Sequence, residues 1–443
     1  MLKATCIMLI GGFLVLAGLA SPASADDKPP PNVVLIIADD MAWTDYGFMG
    51  HPQIRTPRLD RLASQSLTFR RGYVTTSLCS PSLASILSGR YPHQHRITSN
   101  DPPLPPGMDE AAARRDPRFL AARQEMIKAF DDMPTLPRLL SPKGYLSFEA
   151  GKWWGGSYKR GGFTHGMTHG DPSRGGRHGD AGLAIGRQGL RPMTLFIELA
   201  KTRKAPFFVW YAPMMPHQPH NPPDRLLAHY RGKAPTERVA KYWAMCEWFD
   251  ETCGELLDFL DAKKLSDNTL VVFLADNGWI QDPQADRFAP RSKQSPYDGG
   301  LRTPILIRWP GQVAPRTCDI PVSAVDIAPT VLNAAGVDRP AGLEGIDLLD
   351  DKAVSRRPPV FGEIFTHNAV DLRDPASSLR FRWIVDGDWK LIAPDPRNEP
   401  KGAVELYDVA HDPGETRNLA AEQHPKAAEL LPKLDAHWLV TRR

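Results

Sequence analysis

The sequence is short of cysteine, of net charge and of repeated pattern, and each shortage excludes something. Five cysteines in 443 residues cannot supply the disulfide framework of a small secreted module. Beyond Cys6 only Cys79, Cys246, Cys253 and Cys318 remain. Cys246 and Cys253 share one helical stretch, in which seven residues span about 10 Å, past the roughly 7 Å limit for bridged Cα atoms. A single long-range pair with Cys318 stays open. The net charge of +3 contains no block of one sign and no interleaved basic–aromatic run, so a nucleic-acid partner is not expected. No internal repeat or low-complexity tract is present. Stability must come from a hydrophobic core, and the length suffices for a large one with a second, smaller domain. The 43 prolines point to fixed loops around a scaffold rather than to a helical bundle.

Long apolar runs are scarce too. The one that stands out lies in "MLKATCIMLIGGFLVLAGLASPASADD". Lys3 gives a positive start, Ile7 to Ala20 an apolar middle, and Ala23-Ser24-Ala25 a small-residue cleavage site, so residues 1–25 read as a signal peptide. The run is too short for a comfortable membrane span, and no cysteine follows "LAGLAS" to take a lipid. The expected location is periplasmic or secreted, with no stable membrane anchor.

The mature chain alternates between strand and helix patterns. "NVVLIIADD" is a continuous apolar run ending in acids, as expected of a strand buried on both faces. "TPRLDRLASQSLTF" reads as a helix with Thr56 as N-cap and Pro57 at the first position. Further strands are expected at "LTFRRGYV", "YLSFEAG", "PFFVWYAP", "TLVVFLADNG" and "TPILIRWPG", with a long helix around Tyr242 to Leu260. Asp101 to Asp132 reads as an insertion carrying a charged helix. The pattern predicts an α/β fold, a mostly parallel sheet sandwiched by helices over residues 26–355. From about residue 356 short strands take over, including a hairpin on the Asp-Gly of "RFRWIVDGDWKLIAP", and a smaller α+β subdomain is expected over 356–443.

In such folds ligands bind at the carboxyl ends of the strands. Asp39 and Asp40 end the first strand, Lys152 follows "YLSFEAG", His217 follows "PFFVWYAP", and Asp276-Asn277 end "TLVVFLA". Taken singly, each is an ordinary cap, turn or surface residue. Together they put oxygen ligands, a cation and a His at four strand ends. Three carboxylates and an amide carbonyl form a hard oxygen set suited to Ca²⁺, with Mg²⁺ less suited because it prefers to keep waters. "CSPSLASILSGR" then opens a helix, with Ser80 expected as N-cap, Pro81 at the first position and Cys79 just ahead of it. Helix N–H groups there favour an anion, a thiolate or a bound sulfate or phosphate.

These motifs resemble those of the type I, formylglycine-dependent sulfatases of the alkaline-phosphatase superfamily. The family pattern C-x-P-S-R, followed by an apolar stretch and T-G-R, is similar to Cys79 to Arg90. Asp39-Asp40 and Asp276-Asn277 match the metal pairs. Lys152 matches the lysine of G-K-W-H, and His217 in "MMPHQPH" the strand-end histidine. Lys293 matches the second lysine, and the closing "ELYDVAHDPGETRNLA" is similar as well. The resemblance implies an alkaline-phosphatase-like fold and a metal site of Asp39, Asp40, Asp276, Asn277 and the residue at 79. It implies conversion of Cys79 to Cα-formylglycine by a formylglycine-generating enzyme. The hydrated aldehyde would then attack sulfur, with Lys152 holding sulfate and His217 and Lys293 assisting departure of the alcohol. The implied function is hydrolysis of sulfate esters, with sulfated carbohydrate as the expected partner.

Two positions depart from the pattern. The family arginine is Leu83, and the histidine after Lys-Trp is Trp154. Arg90, His93, His95, Lys159, Arg160, His165 and His169 are candidates to replace them. Trp43, Trp279, Glu363 and His367 are candidates for a sugar subsite. Two other functions share this layout: a phosphodiester or phosphonate monoester hydrolase of the same superfamily, and a catalytically silent sulfated-glycan binder that keeps Cys79 as a thiol.

Overall fold

The structure, a computed structural model, describes residues 29–171 and 176–440. The expected signal peptide, 1–25, lies outside the described residues. Strands β1 (Asn32–Ala38), β3 (Leu146–Gly151), β5 (Phe207–Ala212) and β6 (Thr269–Ala275) lie side by side in the order β3-β5-β1-β6, every pair parallel. Their carboxyl ends therefore share one edge of the sheet. β2 (Leu67–Tyr73), β4 (His165–Gly166), β7 (Arg302–Arg308), β8 (Arg316–Cys318) and β9 (Val322–Ser323) complete nine strands. β7 runs antiparallel to both β6 and β2, so the sheet is mixed on that side.

Side chains alternate along a strand, and β1 shows what its unbroken apolar run is for. Val33, Leu35 and Ile37 pack with Leu83, Ile86 and Leu87 of helix α2 (Cys79–Ser88). Val34, Ile36 and Ala38 pack on the other face with Phe249, Cys253 and Leu256 of the helix Glu237–Ala262. Burying both faces removes water from the strand ends, where the polar residues cluster. Helix α1 (Pro57–Ser64) starts after Thr56 as expected, but the Thr56 hydroxyl does not cap it. That hydroxyl donates to Asp60 Oδ1 at 2.9 Å and accepts from the Gly47 N–H at 2.8 Å, so it ties a preceding loop down instead.

A second, antiparallel sheet runs β10 (Val360–Phe365), β11 (Leu379–Asp386), β12 (Trp389–Pro394) and β13 (Glu405–Asp408). The β11–β12 hairpin turns on Gly387 and Asp388, one residue beyond the Asp-Gly pair, with Gly387 at φ +59°. The terminal helix His424–His437 sets Leu430 and Leu434 against Ile384, Leu391 and Leu406. The Glu363 N–H donates to Thr75 O at 2.8 Å, which fastens this sheet to the approach to α2. The charged segment after Asp101 holds two short helices, Glu110–Ala113 and Pro117–Ile127. Cys79, Cys246, Cys253 and Cys318 are all free, so the long-range bridge left open by the sequence does not form. Among the described residues, no helix is long and apolar enough to cross a membrane.

Candidate active site

The four parallel strand ends deliver their polar residues to one place. Past β1 the chain turns sharply, with Asp40 at φ +66°, and both Asp39 and Asp40 are buried. Past β3, Gly151 adopts φ +114°, and a Cβ there would stand 2.0 Å from Ala212 O on the neighbouring strand. Only glycine fits that approach, and it turns Lys152 into the site. Asp39, Asp40 and Asp276 each offer an oxygen, all within 4.8 Å of one another. Asp39, Cys79 and His217 form an overlapping group within the same limit.

Two buried ammonium groups brace the acids. Lys152 Nζ lies 2.6 Å from Asp39 Oδ1 and 4.0 Å from Asp276 Oδ2. Lys293 Nζ donates to Asp40 Oδ1 at 2.5 Å and Oδ2 at 2.7 Å, and lies 3.2 Å from Cys79 Sγ. Burial alone would raise Asp40, but Lys293, His217 and Lys152 outweigh it and hold the carboxyl below the usual range. Asp276 goes the other way: burial and the Asp39 carboxylate push it well above that range. Burial pushes the Cys79 thiol up to about 12, although Lys152 and Lys293 pull it down. A thiol with that pKa is not a thiolate near neutrality, so unmodified Cys79 is a poor nucleophile here.

The donor set fits a divalent cation. Asp39 Oδ2, Asp276 Oδ2 and Asn277 Oδ1 are buried oxygens without a hydrogen-bond partner among the described residues. Asn277 gives its Nδ2 to Asp40 Oδ1 at 2.6 Å, which leaves its carbonyl oxygen as the free atom. Three acceptors without donors carry a large desolvation cost, and a hard cation offsets it.

Residues 31–337 match the family profile described as sulfatase, and residues 291–440 match the C-terminal profile of N-sulphoglucosamine sulphohydrolase. The chain belongs to the sulfatase family. Human (Homo sapiens) arylsulfatase A is 29% identical over 487 residues, covering 94% of this chain and 88% of the relative. N-acetylgalactosamine-6-sulfatase of Canis lupus familiaris is 29% identical over 380 residues, covering 76% and 68%. The fold is similar to that of BT4656, solved in complex with its substrate D-glucosamine-2-N,6-O-disulfate. That match has a TM-score of 0.71 at 20% identity, over 92% of this chain and 98% of the other. This sulfatase is thus an enzyme of sulfate-ester hydrolysis by family, with an alkaline-phosphatase-like architecture.

In the sulfatase, α2 begins at Cys79 rather than at Pro81, two residues earlier than expected, and Leu78, in an extended conformation, is the N-cap. Ser80 does not cap. Its own N–H instead donates to Asn100 Oδ1 at 2.9 Å, so a side chain twenty residues on satisfies the helix start. His217 donates Nδ1–H to Gln218 O at 2.6 Å, which fixes its tautomer and turns Nε2 toward Asp40 Oδ2, 3.5 Å away. Burial lowers its pKa, so the imidazole is neutral.

Cys79, Lys152, His217 and Lys293 line one cavity of about 220 Å³ with Trp154, Trp279 and His367. Two sugar-subsite candidates, Trp279 and His367, are therefore beside the nucleophile position. The other two are not. Trp43 packs under the Arg302 guanidinium, 4.0 Å from its ring, in a separate cleft. Glu363 is buried against His93, accepting from both its ring and its N–H.

None of the seven expected replacements for the family arginine and histidine lines the cavity. His95 is buried behind α2, 3.1 Å from Ser85 Oγ, and His93 is taken by Glu363. Arg90 follows the C-terminal end of α2, the end away from Cys79. Arg160 pairs with Asp131 at 2.6 Å, and Lys159 is exposed. His165 bonds Thr164, and His169 meets the edge of Tyr158. Leu83 is 4% exposed within the core, on the α2 face that packs against the sheet. The residues the sequence reading missed are Arg177 and His178, which line the cavity from the glycine-rich stretch after β4. No local motif marks them; only the nearby abundance of basic residues hinted at that stretch.

Proposed function

We propose that this sulfatase is an exported hydrolase that removes sulfate from sulfated carbohydrate, acting through formylglycine formed from Cys79 beside a bound Ca²⁺. The observation that carries the reading is the meeting of Cys79 Sγ, Lys293 Nζ and the three partnerless oxygens at one sheet edge. Calcium held by Asp39, Asp40, Asp276 and Asn277 would supply positive charge against the sulfate oxygens and the attacking group. Formylglycine at position 79 would supply a hydrated aldehyde in place of a thiol that stays protonated.

The chain's own residues then divide the work. Lys152 binds sulfate oxygens and, with the cation, neutralises charge that builds on them. Lys293 gives a hydrogen bond to the oxygen leaving with the alcohol. His217 holds one proton at Nδ1 against Gln218 O, so its Nε2 is an acceptor; Nε2 takes the proton released by the attacking hydroxyl and then returns it to the departing oxygen. Trp279 and Phe288 give the cavity apolar wall, with His367 beside them. That cavity shares Gln218 and Asp286 with a wider cleft of about 780 Å³, lined also by His220, Arg238 and Lys241. A sulfate group suits the narrow part and a sugar the wide part. Export rests on the N-terminal stretch, and maturation calls for a formylglycine-generating enzyme as partner.

The test is turnover by protein co-produced with that maturation enzyme. We expect hydrolysis of 4-nitrophenyl sulfate to exceed that of 4-nitrophenyl phosphate and of phosphonate monoesters. The reverse order would make the chain a phosphate or phosphonate ester hydrolase. Binding of sulfated oligosaccharide without turnover would make it a silent binder.

A further inference from the structure

Trp154 and Leu83 leave the cavity one imidazole and one cation short of the pattern it otherwise follows, and the structure places both nearby. Arg177 and His178 line the same cavity as Cys79, Lys152 and Lys293. Trp154 joins them. Its ring lies 4.9 Å from the Arg177 guanidinium and 5.4 Å, edge-on, from the His178 ring. Lys152 Nζ and the Arg123 guanidinium also face that ring, at 5.9 and 6.0 Å. A histidine at 154 that gained a proton would repel these cations, whereas the face of an indole attracts them.

Arg177 is held rather than loose. It donates Nε–H to Asp101 Oδ1 at 2.7 Å and pairs through Nη2 with Oδ2, a fork on a fully buried carboxylate that Arg123 also approaches at 3.7 Å. His178 is fixed by its backbone, its carbonyl accepting from the Trp153 N–H at 3.1 Å. Its ring Nδ1 is buried with no hydrogen-bond partner among the described residues. Burial, then Lys152, Arg177, His217 and Arg123, lower its pKa to about 2, so the ring is neutral and surrounded by positive charge. An anion in the cavity relieves that environment, and in the Nδ1–H tautomer the unpartnered nitrogen donates a hydrogen bond to it.

We infer that Arg177 and His178 contact the sulfate group of the substrate directly, Arg177 as the cation absent at position 83 and His178 as the imidazole absent at position 154. The inference rests on the proposed sulfate site, and it assigns that site two side chains that the family motif does not carry. Trp154 then acts as a positioning residue, holding both against the cavity wall.

The test separates this assignment from the site itself by reading binding rather than turnover. Calorimetry in calcium-containing buffer at fixed ionic strength measures 4-nitrophenyl sulfate binding to Cys79→Ala protein and to double variants built on it. Arg177→Gln is expected to weaken binding by about tenfold or more, and Arg177→Lys, which keeps the charge but not the fork, by a few-fold. His178→Gln is expected to weaken it by a few-fold, and Lys159→Ala to leave it unchanged. The His178 ring signal in NMR, assigned by its loss in His178→Gln, is expected to shift when inorganic sulfate is added. A purely structural role would not move that signal.

Should Arg177→Gln fail to fold, Arg177→Lys and the His178 signal decide. Parent-like affinity in Arg177→Lys and His178→Gln, with a static His178 signal and a tenfold loss in Lys152→Ala, would overturn the assignment and leave the sulfate site standing. A folded Cys79→Ala protein that binds neither 4-nitrophenyl sulfate nor inorganic sulfate would overturn the proposed function, and the assignment with it.

Discussion

Lys293 donates to both oxygens of Asp40, at 2.5 and 2.7 Å, and the same ammonium stands 3.2 Å from the sulfur of Cys79. One side chain thus ties the acidic cluster to the nucleophile position. Both Lys293 and Asp40 are buried, so each depends on the other for a counter-charge. Lys293→Met leaves Asp40 with a neutral His217 at 3.5 Å and a single amide donor. Breaking such a pair costs about 3–5 kcal/mol. We expect a lower melting temperature in calcium-free buffer and, in matured enzyme, turnover of 4-nitrophenyl sulfate down by about 10²–10³-fold. A variant as stable and as active as the parent would remove Lys293 from the site.

The state of Cys79 decides whether that machinery runs. With its thiol pushed up to about 12, unmodified Cys79 is protonated and weakly nucleophilic at neutral pH. We expect the tryptic peptide Gly72 to Arg90, from protein made with the maturation enzyme, to have lost sulfur and two hydrogens and gained one oxygen. Intact-peptide mass spectrometry reads this directly. A thiol that remains fully alkylatable would mean that Leu83 breaks the maturation signal, and binding without turnover would become the account of the protein.

Leu83 itself is a core residue, 4% exposed and packed with Ile86 and Leu87 against the sheet. Restoring the family arginine by Leu83→Arg puts a guanidinium where an isobutyl group is buried. We expect a loss of about 2–4 kcal/mol, seen as a lower denaturation midpoint, together with a formylglycine yield equal to or above the parent's. A Leu83→Arg protein of parental stability would show that the position opens into the cavity rather than into the core.

The strand-end residues were legible because a parallel sheet has one rule for them. A buried strand announces itself as an apolar run, its last residue marks the carboxyl end, and parallel neighbours bring those ends together. Asp39, Asp40, Lys152, His217, Asp276 and Asn277 follow from that rule alone. Lys293 lies on a loop and was reached through the family motif. The helix starts two residues earlier than expected, at Cys79 rather than Pro81, and Asn100, not Ser80, satisfies an N–H there. A cap supplied from another loop leaves no local trace. Arg177 and His178 were missed for the same reason. Their places are set by Asp101 and Trp154, contacts between segments that no periodicity connects. Conversely, the histidines of "PHQH" and "THGMTHG" looked available, but tertiary partners such as Glu363, Ser85 and Tyr158 take up His93, His95 and His169.

Glu149, on β3 three residues before Lys152, makes stability depend on pH. It is fully buried, accepting from the Thr168 N–H at 2.9 Å, the Met167 N–H at 3.2 Å and the Thr168 hydroxyl at 3.1 Å. Burial outweighs these donors and pushes its carboxyl up to about 8. Between the unfolded value of about 4.3 and that folded value the native state binds more protons, so stability falls as pH rises, by up to about 1.4 kcal/mol per unit. Glu149→Gln lacks this titration. We expect the two proteins to melt together near about pH 5 and the parent to fall behind by about pH 9. A melting difference that does not change with pH would mean that Glu149 is ionised throughout.

The cation is tested by its content and by its effect on the fold. Asp39, Asp40 and Asp276 lie within 4.8 Å of one another, and the outward oxygens of Asp39, Asp276 and Asn277 have no donor to face among the described residues. Without a cation, burial and Asp39 push Asp276 toward its protonated form. With one, all three acids are paid in charge, and the native state gains what the unfolded chain cannot. At a hundredfold excess over Kd that gain is about 2.7 kcal/mol. We therefore expect chelation to lower the melting temperature, Ca²⁺ to restore it, and Mg²⁺ to restore less, because it gives up its waters reluctantly. Elemental analysis of Asp276→Ala should show the metal lost while Lys159→Ala retains it. Calcium content unchanged in Asp276→Ala would place the ion elsewhere, and the three partnerless oxygens would then have to be satisfied by water.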